Sequence, residues 1–221
     1  NTTGSNNTAV GHVALTACTT GANNVAIGHD ALTTLTTNSY CTAVGDYALA
    51  NNTTQYMAAF GAQALGDNTT GQQSTGLGFR ALRLNTTGSF NTAVGYDAMY
   101  TNTTGDSNTA FGHKALEKNT TASSNTAIGR EALNSNTTGD YNIAVGGQSM
   151  YFCTTGTDNV AVGYDALQDL TTGSWNVALG YQAADKSTDG NGKIAIGYQA
   201  LRTPTDGSYE VAIGFEALKS Q

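Results

Sequence analysis

The chain has 221 residues and a formal net charge of −7, and only 11% of its residues are charged where about 25% is usual for a soluble domain. It holds 27 Gly, one Pro, 36 Thr and 21 Asn, with 39% apolar residues. This balance lacks the basic footprint of a nucleic-acid binder, and no apolar run approaches the roughly 18 residues a membrane helix needs.

An internal repeat governs the chain. A Gly that follows an aliphatic or Phe residue recurs at Gly11, Gly28, Gly45, Gly61, Gly78, Gly95 and Gly112. It continues at Gly129, Gly146, Gly163, Gly180, Gly197 and Gly214. The spacing is 17 residues, except for 16 between Gly45 and Gly61. Counting Thr92 as slot 1 and Asn108 as slot 17, the recurrent Gly stands in slot 4. A helix–turn–helix repeat needs about 34 residues, and no stripe of period 3.6 persists, so the period predicts a parallel β-solenoid of thirteen coils. The whole chain, 1–221, reads as one repeat domain that begins in slot 11 at Asn1 and ends in slot 11 at Gln221, as a piece of a longer fibre would.

Within a coil the elements follow in order. Slots 1–3 predict a short strand: Thr, Val or Ile, then Ala, then an aliphatic residue or Phe. The slot-4 Gly makes a corner that needs φ > 0 or close backbone approach. Slots 7–9, opening with Ala and then Leu or Met, predict a second short strand. The Asn-Thr-Thr-Gly segment of slots 11–14 makes the other corner, and the short coil loses its residue there, beside Thr53, Thr54 and Gln55. Slot 12 is Thr in all thirteen copies, from Thr2 to Thr205. Slot 17 is often Asn, as at Asn91, Asn108, Asn125 and Asn142. Stacked about 4.8 Å apart, these residues form columns whose amides and hydroxyls bond the copies above and below. Thirteen such coils make a rod of roughly 60 Å.

Burial sets a further constraint. One coil offers one Val or Ile, one Leu and two Ala, about 5–6 kcal/mol by transfer, against roughly 17–34 kcal/mol for ordering its backbone. Strand parity puts slot 2 opposite slots 1 and 3. If the Ala columns of slots 2 and 7 fill the interior, Val/Ile and Leu form outward stripes that other chains must cover; the opposite parity permits a monomer.

The segments Asn-Thr-Ala-Val-Gly (Asn91–Gly95), Asn-Val-Ala-Val-Gly (Asn159–Gly163) and Lys-Ile-Ala-Ile-Gly (Lys193–Gly197) resemble the repeats of YadA-like heads of trimeric autotransporter adhesins. The full unit, with its Asn-Thr-Thr-Gly, is also similar to repeat regions of bacteriophage tail fibres. The resemblance covers the whole chain, although the adhesin units run a few residues shorter. It implies a left-handed parallel β-roll assembled as a homotrimer, a fibre segment outside the cell on a virion or a bacterial surface. Its partners would be its own copies and a host-surface glycan or protein receptor, with no nucleic acid and no membrane insertion.

Chemistry is sparse. His12, His29 and His113 all stand in slot 5, where other coils carry Tyr or Phe, and read as members of an aromatic column rather than metal ligands. Cys18 and Cys153 share slot 11 and are too far apart to pair within the chain; with Cys41 they read as buried free thiols. Asp30, Asp97, Glu131, Asp165 and Glu216 in slot 6 read as a solvated face with no acid pair singled out. No nucleophile–base motif occurs, so no catalytic, cofactor or metal residues are expected and the chain is not expected to be an enzyme. The Asn-Xaa-Thr sequons at Asn52, Asn68, Asn85, Asn102, Asn119 and Asn136 coincide with the corner. The aromatics of slot 16, Tyr40, Tyr56, Phe90, Tyr141, Trp175 and Tyr209, are the candidate binding residues. They either cover seams between chains or stack on sugar rings as a carbohydrate-binding module. An ice-binding Thr face is a third reading, weakened because adjacent Thr residues on a strand point to opposite sides.

Overall fold

A computed structural model describes residues 1–203 and 207–220. The slot-12 residue Thr205 and the terminal Gln221 lie outside the described residues. The architecture is an all-β parallel β-solenoid with one three-residue strand per coil: β1 (Thr8–Val10), β2 (Val25–Ile27), β3 (Thr42–Val44), β4 (Ala58–Phe60), β5 (Thr75–Leu77), β6 (Thr92–Val94), β7 (Thr109–Phe111), β8 (Thr126–Ile128), β9 (Ile143–Val145), β10 (Val160–Val162), β11 (Val177–Leu179), β12 (Ile194–Ile196) and β13 (Val211–Ile213). Two compact units carry them: Asn1–Asn108 holds β1 to β6, and Thr109–Gln221 holds β7 to β13.

Within each unit successive strands pair in parallel, slot on slot. In the first unit Ala9 faces Ala26 and Val10 faces Ile27; in the second Ala161 faces Ala178 and Val162 faces Leu179. The 16-residue coil keeps this register, with Thr42 opposite Ala58. It does so because the Thr54 carbonyl takes over the role of a slot-14 carbonyl, accepting the Asn52 amide at 2.8 Å and the Cys41 thiol at 3.2 Å.

The second predicted strand does not form. From slot 5 the backbone runs through consecutive turns, with slot 6 and slot 8 both left-handed, as at Asp30 (φ 54°) and Leu32 (φ 52°). Turn bonds close this stretch within a coil, such as Ala48 N to Gly45 O and Asn68 N to Leu65 O. Ladder bonds join it to the neighbours: Asp30 N donates to His12 O and Leu32 N to Ala48 O, both at 3.1 Å. Alternation of faces is a property of extended chain, so it fails here. Ala at slot 7 and Leu or Met at slot 8 both point inward, as Ala31, Leu32, Ala132 and Leu133 do with no exposed surface. Of the two alternatives, the structure follows neither whole: the slot-2 Ala faces inward and slot-3 residues such as Val10 and Phe60 face outward, but the slot-8 Leu is inside rather than in an outward stripe.

The core of a coil is narrow. A Cβ built on Gly76, the one slot-2 residue that is not Ala, would stand 3.2 Å from Ala81 O and 3.4 Å from the Leu65 side chain. Slot 2 therefore packs directly on slots 7 and 8 and admits nothing larger than Ala without strain. Ser149, the only slot-7 residue that is not Ala, is buried and satisfied by donating to Ala161 O at 3.1 Å.

Beside this apolar half lies an amide half. Slot-11 and slot-17 Asn side chains flank the slot-14 carbonyl from two sides. Gly105 O accepts from Asn91 Nδ2 (2.7 Å) and Asn102 Nδ2 (3.0 Å). Gly139 O accepts from Asn125 and Asn136 in the same way. The amides also bond their copies: Asn85 donates to Asn68 Oδ1 at 2.7 Å, and Asn176 to Asn159 Oδ1 at 3.0 Å. The slot-14 Gly is not left-handed. A Cβ there would collide with the carbonyl of the next coil, 2.2 Å away at Gly71.

The Thr column works differently from the Asn columns. Thr69 Oγ1 donates not to another hydroxyl but to Thr86 O (2.9 Å). That carbonyl also receives the N–H groups of Thr69, Thr70 and Gly71 at 2.9 to 3.3 Å. One oxygen thus gathers the donors of a whole corner, which accounts for Thr at slot 12 throughout.

Two substitutions separate the halves. Leu133→Ala is expected to lower the unfolding free energy by about 2–5 kcal/mol through a cavity. Asn102→Ala is expected to cost about 1–3 kcal/mol by removing a donor from two buried acceptors. Both are read from urea denaturation midpoints.

Candidate functional site

Besides the outward slot-3 side chains of the strands, the described residues leave three further rows that can meet a partner. The slot-16 residues are held outward by a left-handed backbone, with φ 60° at Phe90, Tyr141 and Trp175. Their N–H groups donate to the preceding coil, as Tyr40 N does to Ala22 O at 3.2 Å. All six predicted aromatics are exposed, from 49% at Tyr56 to 77% at Tyr209. They do not form one column. Tyr40 and Tyr56 stack on each other at 5.5 Å. Among the described residues none of Phe90, Tyr141, Trp175 and Tyr209 has an aromatic neighbour. The Tyr209 ring lies against Gly192 of the preceding coil, where a Cβ would stand 2.6 Å from it.

Slot 5 is the regular aromatic row. Tyr164, Tyr181, Tyr198 and Phe215 stack in succession at 5.8, 5.4 and 5.2 Å. Each inner ring has both faces against its neighbours, so this row offers edges rather than faces to solvent. His12 and His29 belong to the same slot and stack at 5.3 Å, as members of an aromatic column should. His29 also has acidic neighbours that were not expected: its Nδ1 lies 3.2 Å from Asp46 Oδ1 and 3.4 Å from Asp30 Oδ2. Among the described residues no group of three His, Cys, Asp or Glu is placed to hold a metal ion.

Slot 6 corrects the expectation of a solvated acidic face. Asp97 is buried, and Arg80 clamps it through Nε (2.8 Å) and Nη2 (2.6 Å). The same guanidinium lies over the Phe79, Tyr96 and Tyr100 rings. Asp165 is also buried, and desolvation raises its carboxyl above the ordinary range against the opposing bond from Gln182. Gln and acid side chains bond along the column, as Gln148 Nε2 does to Glu131 Oε2 (2.9 Å).

The third row is one that the sequence reading passed over. On the first unit a groove of about 390 Å³ opens beside slot 9. Val13, Asp30 and Tyr47 of slot 6 and Thr33, Ala50 and Gly66 of slot 9 line it. Asn51 and Asp67 of slot 10 and Arg83 of slot 9 complete the lining. Arg83 pairs with Asp67, whose Oδ1 also accepts from Asn51 Nδ2 (3.1 Å). The arginine stem folds back over Gly66, where a Cβ would lie 3.4 Å from its Cδ. A hydrogen bond to Asp30, with that residue's charge, raises the Tyr47 phenol above its ordinary pKa. The signal was readable: slot 9 is Thr16, Thr33, Ala50 and Gly66 in four successive coils, then Arg83, Tyr100 and Glu117.

The six sequons are closed. Asn52, Asn68, Asn85, Asn102, Asn119 and Asn136 have no exposed surface and belong to the slot-11 amide column. The three cysteines are free and buried. Cys18 and Cys153 replace slot-11 Asn, directing Sγ at Gly21 O (3.5 Å) and Gly156 O (3.8 Å). Among the described residues no helix is long and apolar enough to cross a membrane. Comparison with family models, curated proteins and solved structures returned no match. The class the structure defines is therefore that of its fold, a parallel β-solenoid.

Desolvation pushes the Cys153 thiol up to about 12 from an ordinary 9.0. The folded state thus prefers the neutral thiol, and its contribution is complete below pH 9 and lost as the pH rises towards 12. Unfolding free energy should fall across that window with a slope of up to about 1.4 kcal/mol per pH unit from this group. Comparing denaturation midpoints of the wild type with Cys153→Asn, the usual slot-11 residue, isolates the effect; equal pH dependence would contradict it.

Proposed function

We propose that this chain is a segment of a homotrimeric adhesive fibre. In this reading left-handed β-rolls associate along their sheet faces outside the cell, on a virion or a bacterial surface, and space or mediate attachment to a host. The observation that carries it is the outer face of the sheet. Val10, Ile27, Phe60 and Leu77 on the first unit, and Phe111, Ile128, Val162 and Ile213 on the second, are large apolar side chains turned away from the interior. Rows of this kind are costly to leave in water. A row of apolar groups repeated at the coil spacing is matched group for group by another copy of itself, which favours self-association over a partner of irregular surface. The net charge of −7 disfavours nucleic acid. The repeat segments resembling adhesin heads and tail fibres agree with this role.

Sedimentation equilibrium of the intact chain tests the assembly. The expected species has three times the 22.7 kDa chain mass. Ile128→Asp, on a half-exposed side chain, should yield folded monomers with an unchanged far-ultraviolet spectrum. A wild-type chain that sediments as a monomer overturns the trimer.

A second reading is favoured by Phe90, Tyr141, Trp175 and Tyr209, whose rings are exposed without aromatic neighbours among the described residues. Such faces suit stacking on sugar rings. On a glycan array Trp175→Ala should reduce binding by about tenfold, the equivalent of roughly 1.4 kcal/mol; a blank wild-type array removes the reading. The ice-binding reading loses ground, because slot-12 hydroxyls such as Thr69 and Thr86 already donate to carbonyls of the next coil.

A further inference from the structure

We propose that the slot-9 groove of the first unit is a binding site for an uncharged saccharide unit. It shares a ligand class with the second reading above, but not a site, and it does not depend on chain assembly.

The groove exists for a steric reason. Slot 9 holds side chains that project from the coil, such as Tyr100, Glu117, Tyr151 and Arg202. Where they shrink to Thr33, Ala50 and Gly66, the wall of slot 6 and the residues of slot 10 are left standing with nothing between them. The volume, about 390 Å³, falls in the range of small-molecule sites, about 300–1,000 Å³.

Its chemistry selects the ligand. A sugar hydroxyl both donates and accepts, and a sugar ring has apolar C–H faces. Its lining holds acceptors and donors side by side: the Asp30 carboxylate with the Tyr47 hydroxyl, and Asp67 with the Asn51 amide and the Arg83 guanidinium. Val13 and Ala50 supply apolar contact between them. Two carboxylates against one guanidinium leave the groove net negative, so acidic sugars, phosphates and sulfates are repelled. Asp67 is already paired with Arg83, so a basic peptide would find only Asp30, itself beside the Tyr47 phenol and the His29 ring, and the Lys-Arg comparator tests whether that one carboxylate suffices. Hydroxyls can join such pairs without breaking them, because each carboxylate has about four acceptor directions.

Saturation-transfer difference NMR on the full chain tests this with cellobiose, lactose, maltose and chitobiose as probes, and with sialyllactose and a Lys-Arg dipeptide as comparators. Ala50→Tyr fills the groove with the residue that slot 9 already carries at Tyr100 and Tyr151, so the coil can accommodate it. At least one neutral disaccharide should bind the wild type, and Ala50→Tyr should weaken it by about tenfold or more. Asp30→Asn should weaken it as well, while Trp175→Ala leaves it unchanged. The proposal is overturned if no neutral probe gives a signal or if Ala50→Tyr binds as the wild type does. It is equally overturned if the charged comparators bind as well as the neutral sugars, or if Trp175→Ala alone abolishes the signal.

Discussion

Every coil of this chain must place its carbonyls where the next coil has donors, and that requirement organises the rest. It is met most densely at the slot-12 carbonyl, where one oxygen such as Thr86 O receives three N–H groups and a hydroxyl. It is met again at slot 14, where one carbonyl takes two amides. A corner built in this way cannot drift in register, because moving one residue would leave several buried groups without partners. Thr, Asn and Gly are over-used for the same reason. Thr brings a donor that reaches the neighbouring coil, Asn brings both a donor and an acceptor, and Gly lets two carbonyl-bearing backbones approach.

The same stacking sustains backbone conformations that side chains seldom adopt. Slots 6, 8 and 16 are left-handed in coil after coil, in residues such as Asp30, Leu32 and Tyr40. Such a residue costs about 1–2 kcal/mol. Asp30, Leu32 and Tyr40 each donate the N–H to a neighbouring coil, and slot 8 also delivers a Leu or Met into the core in nearly every coil. Burial of that side chain, about 1.5–3 kcal/mol, offsets the local strain. The strain is thus a consequence of folding a coil so thin that both slots 7 and 8 must face inward.

This explains which features could be read from residues and which could not. The period, the strand at slots 1–3 and the slot-4 corner follow from Gly spacing, and alternation in extended chain sets slot 2 against slots 1 and 3; which of the two faces lines the interior does not follow from the residues, and burial puts Ala there. The slot-17 Asn column follows from repetition; the burial of the Asn side chains and the second column at slot 11 come from the structure. The path through slots 6–8 does not follow from the residues, because Gln and Leu carry no local preference for left-handed backbone and Asp stands in only some of the coils; tertiary stacking imposes it. The burial of Asp97 and Asp165 was hidden for a related reason. An acid in a polar-looking slot is buried only if a neighbour 17 residues away supplies a partner, as Arg80 does for Asp97. The groove was missed because it arises from variation at slot 9, and reading the chain as copies of one unit averages that variation away.

Departures from the repeat therefore divide by location. Inside, a change in one coil is answered within reach: Lys193 in a slot for Asn finds Ser187 at 3.0 Å and Glu210 at 3.5 Å, and Cys153 points at the carbonyl an Asn would take. Outside, stacking makes no such demand, and differences accumulate unanswered: Tyr, Ser, Asp and Gly in slot 16, or the run of small residues in slot 9. A surface made of identical rows offers any partner many equivalent positions, displaced from one another by one coil. Only a local departure, a groove where slot 9 shrinks beside Arg83 or Trp175 between Asp158 and Gly192 in its slot, gives a ligand one position to prefer. Specificity in a solenoid of this kind belongs to the residues that break its pattern, on a frame that the pattern holds in place.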